Sequence, residues 1–83
     1  MKVLMIDDNE LNLRVYRTAL STLSGSDCVT FTSSRDALEW SRQNEADVVL
    51  VDYNMPEPNG LQFIETFRSS PANAEVPIIV ITG

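Results

Sequence analysis

An α/β fold with a doubly wound parallel sheet is predicted by three apolar runs, each ending on a chemically active side chain. Val3-Leu4-Met5-Ile6 ends at Asp7-Asp8, Val48-Val49-Leu50-Val51 ends at Asp52, and Ile78-Ile79-Val80-Ile81 ends at Thr82. Continuous apolar runs are expected of strands buried on both faces. Stretches of helical periodicity separate the runs, giving the order βαβαβαβ. That alternation implies parallel strands joined by right-handed crossovers. Parallel strands bring their C-terminal ends to one edge, where open α/β sheets bind ligands.

The elements follow in order. Lys2 to Ile6 is the first strand. Glu10 to Leu23 is predicted helical, with Leu11, Val15, Ala19 and Leu23 recurring every fourth residue and Tyr16 and Leu20 flanking that stripe. Ser24-Gly25-Ser26-Asp27 is a turn. Cys28 to Thr32 is a short strand rich in β-branched and aromatic residues. Ser33 and Asp36 have the spacing of a capping box, opening a helix to about Asn44 with Ala37, Leu38 and Trp40 as apolar surface. Asp47 to Val51 is the third strand. Pro56 and Pro58 keep the Asn54–Asn59 loop out of helix. Asn59 caps a helix from Gly60 to about Ser69, with Leu61, Ile64 and Phe67 facing inward and Pro71 stopping it. Pro77 is acceptable because it opens the strand Ile78 to Thr82.

Bulk properties exclude several classes. The chain of 83 residues is one domain at most. A hydrophobic content of 43% argues against disorder. The net charge of -6 favours cations or positively charged partners, and Arg14, Arg17, Arg35, Arg42 and Arg68 form no cluster that would bind nucleic acid directly. Cys28 is the only cysteine and histidine is absent, so no internal disulfide or zinc-type ligand spacing exists. With no disulfide possible, a reducing cytoplasm is the expected setting, and the first apolar run is too short for a signal peptide or a membrane helix.

Taken one at a time, the strand-end residues have plain readings. Asp7-Asp8 reads as a helix cap, Asp52-Tyr53-Asn54 as a turn, Thr82 as a strand end and Gly60 as a turn. Together on one edge they read as a site. Two carboxylates about 4 Å apart repel by roughly 4 kcal/mol at an effective dielectric near 20. Asp7, Asp8 and Asp52 therefore call for a counter-ion. All-oxygen donors point to a hard cation, and Mg²⁺ fits because it keeps waters and leaves positions for phosphate oxygens. Asp52 is then a nucleophile that can accept a phosphoryl group as a mixed anhydride. Thr82 is placed to hydrogen-bond the new oxygens and turn a charge change into loop movement.

These residues resemble the receiver domains of two-component response regulators. The likeness rests on Asp7-Asp8-Asn9, on Asp52-Tyr53-Asn54-Met55-Pro56, on Gly60 eight residues beyond Asp52, and on Thr82. Asn9 and Asn12, in the pattern Asp-Asn-x-x-Asn, look like receivers of hybrid kinases and multidomain regulators. The resemblance implies a flavodoxin-like sheet and phosphorylation of Asp52 by a sensor histidine kinase or phosphotransfer protein. It implies Mg²⁺ ligated by Asp8, Asp52 and the Asn54 carbonyl, with Asp7 acting through a bound water and Thr82 as the switch hydroxyl. It makes the chain a signalling module and not an enzyme.

The family fold has five strands and five helices, whereas this sequence carries four strands. Residues 1–83 are thus expected to be a partial receiver domain, lacking the last helix-strand-helix and its phosphoryl-contacting lysine. Lys2, roughly 15 Å from the strand ends at the opposite edge, cannot replace that lysine. Strand four is expected to be an apolar, uncharged edge that could pair two copies as a homodimer. The runner-up reading is a degenerate receiver acting only in protein contacts. An aspartate-nucleophile phosphohydrolase would need Asp-x-Asp after an early strand, where Asn54 stands after strand three. A flavin-binding flavodoxin would need a hydroxyl-rich phosphate loop in place of Asp-Asp-Asn-Glu.

Overall fold

The structure is a computed structural model that describes residues 1–22, 25–56 and 58–81. The expected helix end at Leu23, the turn residue Ser24 and the hydroxyl residue Thr82 lie outside the described residues. The elements are β1 (Lys2–Ile6), α1 (Glu10–Leu20), β2 (Asp27–Phe31), α2 (Ser34–Ser41), β3 (Val48–Asp52), α3 (Gly60–Arg68), a 3₁₀ turn (Pro71–Asn73) and β4 (Ile78–Ile81). The four strands are parallel, in the order β2-β1-β3-β4. This is the expected flavodoxin-like, doubly wound architecture.

The alternation of strand side chains builds two apolar layers. Val3, Met5 and Leu13 form one, with Tyr16, Leu20, Cys28, Val48 and Leu50 packed against them. Leu4, Ile6, Ala37, Ala46, Val49, Val51, Phe63 and Phe67 form the other. Burying each such large side chain contributes about 1.5–3 kcal/mol. Phe63 and Phe67 stack at 5.5 Å between ring centroids, one turn apart on α3.

Two expected helix faces are corrected. On α1, Leu11 is 65% and Val15 58% exposed, and Ala19 is also exposed. Leu13 is buried instead, with Tyr16 and Leu20 half-buried. Leu13 lies about 200° around the helix from Leu11. In that rotation Leu13, Tyr16 and Leu20 pack against Val3 and Met5 of the sheet, and the Asn12 side chain donates to Asp7 at 3.2 Å. On α3, Leu61 is 49% exposed, and Phe63 takes the inner face with Phe67. Both segments contain two overlapping apolar stripes, and only contact with the sheet selects one.

Element ends also shift. β2 and β3 are displaced by one residue from the expected Cys28–Thr32 and Asp47–Val51, within the ordinary fuzziness of such boundaries. Asp47 stands just before β3. Its carboxylate accepts from the Lys2 backbone N–H at 2.6 Å, and its own N–H donates to the Lys2 carbonyl. α2 closes at Ser41, three residues early, because Asn44 folds back and donates its side-chain amide to the Trp40 carbonyl. Pro71 opens the 3₁₀ turn as well as ending α3.

Caps follow the sequence more closely. Asn59 and Gln62 form a reciprocal capping box on α3, and the Ser33 hydroxyl accepts from the Asp36 N–H on α2. Among the described residues β4 is the last strand of the sheet, with Ile79 53% and Val80 41% exposed.

Candidate functional site

β1 and β3 are neighbours in the sheet, with Ile6 opposite Val51. Asp7 and Asp8 therefore emerge beside Asp52. Carboxylate oxygens of Asp7, Asp8 and Asp52 all lie within 4.8 Å of one another. The three residues assembled from two distant stretches of sequence thus form one cluster, as expected. The Asn54 backbone follows directly and donates its N–H to Asp52 Oδ1 at 3.2 Å.

The three carboxylates differ in environment. Asp7 is buried, Asp52 half-buried and Asp8 exposed. A buried carboxylate is costly unless it is hydrogen-bonded. Asp7 is satisfied at both oxygens: the Asn9 N–H donates to Oδ1 at 2.9 Å and Asn12 Nδ2 to Oδ2 at 3.2 Å. The plain reading of Asp7-Asp8 as a helix cap is corrected, because Asn9 caps α1 with its side-chain oxygen. Asn12, which the sequence marks only through the spacing Asp-Asn-x-x-Asn, orients the buried acid.

Asp52 is held above the ordinary carboxylate pKa, first by burial and then by the charges of Asp7 and Asp8, against the lowering effect of the Asn54 N–H. Tyr16, read from the sequence as packing, lies close enough to feel the same field. Burial raises its pKa most, and Asp7 and Asp52 add to the rise. The three carboxylates repel one another, and the exposure of Asp8 lets solvent screen part of that repulsion.

Gly60 explains how this edge is closed. An added Cβ there would sit 2.7 Å from the Asp52 carbonyl oxygen and 2.8 Å from Tyr53 Cα. The first turn of α3 therefore rests directly on the backbone that carries Asp52, and the Gly60 N–H donates to the Tyr53 carbonyl. Only a residue without a side chain permits that approach. Lys2, at the far end of β1, has its ammonium 5.8 Å from the centre of the Trp40 ring. No described helix is long and apolar enough to cross a membrane.

A doubly wound parallel sheet with three carboxylates at adjoining strand ends presents one acidic edge. The chain belongs to the response regulator receiver domain family, which it matches over residues 3–83. It is 29% identical over 81 residues to the polar-differentiation response regulator DivK of Brucella ovis, covering 98% of this chain and 65% of that protein. The fold superimposes on the chemotaxis protein CheY4 of Vibrio cholerae with a TM-score of 0.82 at 28% identity, covering 95% of this chain and 65% of that one. It also matches a response regulator receiver protein from Pseudomonas putida, with a TM-score of 0.87 and 29% identity over 99% and 67% of the two chains.

The receiver domain of the Pseudomonas aeruginosa sensor histidine kinase PA1611, solved with a magnesium ion coordinated in its active site cleft, shares the fold with a TM-score of 0.87 at 24% identity, covering 95% and 64%. The chain spans about 65% of the length of the curated relatives it matches.

Proposed function

We propose that this receiver domain takes up a phosphoryl group on Asp52, from a phosphohistidine of a sensor histidine kinase or phosphotransfer protein. The observation that carries this reading is the cluster of Asp52 with Asp7 and Asp8 at adjoining strand ends. An Asp52 oxygen attacks phosphorus, the P–N bond breaks, and its electron pair stays on the ring nitrogen, leaving neutral imidazole because the other ring nitrogen already carries a proton. Mg²⁺ is the cation the oxygen donors suit best. Asp8, Asp52 and the Asn54 carbonyl would hold the ion, with Asp7 assisting from its buried position beside them. When bound, the ion neutralises charge between carboxylates and incoming phosphoryl oxygens.

The Thr82 hydroxyl then binds the phosphoryl group and carries the switch. Replacing it (Thr82→Ala) is expected to leave phosphate uptake within a few-fold while weakening any conformational response. Equal loss of both would remove the switch role. In this reading residues 1–83 are part of a receiver domain that signals from the cytoplasm, without being an enzyme and without touching nucleic acid.

The test is intact mass after incubation with Mg²⁺ and a small phosphodonor, beside an Asp52→Asn control. A single phosphate adduct, absent from the control, supports the reading. A folded chain with no adduct favours a domain that only makes protein contacts.

The raised pKa of Asp52 sets a pH dependence. Without metal, the folded state holds its proton more tightly than the unfolded chain does. That contribution to stability is full below the unfolded carboxylate value, about pH 3.9, and is lost as pH rises through the raised folded value. Mg²⁺ competes with the proton and so acts above that range. With the ion well above its Kd, Tm at pH 7 is expected to rise by roughly 5–10 °C, and the rise should vanish near pH 4. A rise that is the same at both pH values would place the ion elsewhere.

A second reading is favoured by the open β4 edge. Its four residues carry no charge, and two antiparallel copies would satisfy each other's backbone groups. Sedimentation of the 83-residue chain should show a concentration-dependent dimer that Ile79→Lys abolishes. A well-folded monomer at high concentration would remove this reading.

A further inference from the structure

We propose that Asn59-Gly60 is a site of spontaneous deamidation, held in check by the capping box of α3, so that its reaction records opening of the helix end beside Asp52. Two separate demands of the fold put this pair together. A Cβ at position 60 would stand 2.7 Å from the Asp52 carbonyl oxygen, so the approach of α3 to β3 requires glycine there. The start of α3 needs a side-chain acceptor, and Asn59 supplies it. Glycine leaves its own backbone nitrogen unhindered for attack on the preceding side chain. No other asparagine in the chain is followed by glycine.

The chemistry is an intramolecular substitution. The Gly60 nitrogen loses its proton to base from solvent and attacks Asn59 Cγ. The Cγ–Nδ2 bond breaks, and that nitrogen leaves as ammonia with a proton taken from water. Water then opens the five-membered imide at one of its two carbonyls. One product carries aspartate at position 59. The other is the isoaspartyl form, in which the chain runs through Cβ and Cγ and is longer by a methylene.

The folded geometry opposes closure of that ring. A planar imide needs Asn59 Cβ eclipsed with the Gly60 nitrogen about the Cα–C bond, which puts ψ at roughly -120° by tetrahedral geometry. Asn59 has ψ -179°, about 60° away. Turning the peptide that far breaks both bonds that pin it. The Phe63 N–H donates to the Asn59 carbonyl at 2.8 Å, and the Gly60 N–H donates to the Tyr53 carbonyl at 3.3 Å. The capping box holds the rest of the residue. Asn59 Oδ1 accepts from the Gln62 N–H at 2.9 Å, and Gln62 Oε1 accepts from the Asn59 N–H at 2.8 Å. Reaction therefore waits for local opening of the helix end.

The two products differ in consequence. Aspartate caps a helix as well as asparagine does. The isoaspartyl form lengthens the backbone where Gly60 is pressed on Asp52, so it loosens that end.

The experiment incubates the 83-residue chain at mildly alkaline pH and measures aspartate and isoaspartate at position 59 by peptide mapping. The parent, Gln62→Ala and Gln62→Glu are compared, with the parent in denaturant as the open reference. The folded parent is expected to react at least about tenfold more slowly than the parent in denaturant. Gln62→Ala, folded by circular dichroism, should react about three- to tenfold faster than the folded parent, as for loss of one capping interaction. Gln62→Glu keeps the box and should stay as slow as the parent. Equal rates in the folded parent and in denaturant, or a folded Gln62→Ala no faster than the parent, overturn the proposal. A fast Gln62→Glu overturns it too, and does so even where Gln62→Ala fails to fold. The separated isoaspartyl chain should melt below the parent, while Asn59→Asp melts with it; an isoaspartyl chain as stable as the parent overturns the assigned consequence.

Discussion

Asp52→Asn should abolish the phosphate adduct and, in the absence of metal, raise the melting temperature. The amide is not a phosphoryl acceptor, so loss of the adduct is complete if Asp52 is the nucleophile. The stability gain follows from the geometry. Asp52 is one of three carboxylates within 4.8 Å of one another, and removing its charge relieves two repulsive pairs. Asp8 is exposed and Asp52 half-buried, so solvent screens much of the Coulomb energy. A net gain of about 1–2 kcal/mol remains, or roughly 5–10 °C in Tm for a domain of this size. The local fold should persist, because an asparagine oxygen can still accept from the Asn54 N–H. The Mg²⁺-dependent rise in Tm should shrink in the same variant. Strong destabilisation in the melt would show that Asp52 is structural, and an adduct that survives would move the acceptor to another residue.

Gly60→Ala should lower Tm and slow phosphorylation together. The new methyl would meet the Asp52 carbonyl oxygen at 2.7 Å, Tyr53 Cα at 2.8 Å and the Tyr53 carbonyl oxygen at 3.2 Å. All three are backbone atoms of the strand end, so no flexible side chain can swing away. Overpacking of this kind costs about 1–3 kcal/mol, and the better helix propensity of alanine returns less than about 1 kcal/mol. A net loss near 2 kcal/mol lowers Tm by roughly 10 °C. Relief of the clash must push either α3 or the Asp52 backbone, and a shift of about 1 Å at a reacting group can cost on the order of a hundredfold in rate. A melt and an adduct time course on the same sample separate the two effects. An unchanged Tm would mean that the approach of α3 to Asp52 is looser than its geometry states.

Much of this was legible in the sequence, for local reasons. Strands buried on both faces must be continuously apolar, so β1 and β3 announced themselves; β4 carries the same apolar pattern although Ile79 and Val80 are exposed. Capping uses side chains within three residues of the helix start, so Ser33 and Asn59 were readable without tertiary information. The carboxylate cluster was readable one step further on. Parallel strands share a direction, so the residues that end them share an edge.

The helix faces were not legible. Leu11-Val15-Ala19 and Leu13-Tyr16-Leu20 are both plausible stripes on one helix, and sequence spacing alone does not rank them. Packing of Leu13, Tyr16 and Leu20 on Val3 and Met5 selects the second stripe, and the same rotation brings Asn12 within hydrogen-bond reach of Asp7. Leu61 and Phe63 pose the same choice on α3, settled by the stack of Phe63 on Phe67.

By itself, then, the sequence determined the strand-helix order, the parallel sheet, the acidic edge and the identity of Asp52 as the residue to test. These depend on patterns of two, three and four residues, which the chain carries locally. The tertiary structure alone decided that Asp7 is the buried acid, that Asn9 is the cap, and that Gly60 is pressed against the Asp52 backbone. Those relations join residues many positions apart, and they exist only once the sheet brings the loops to one edge.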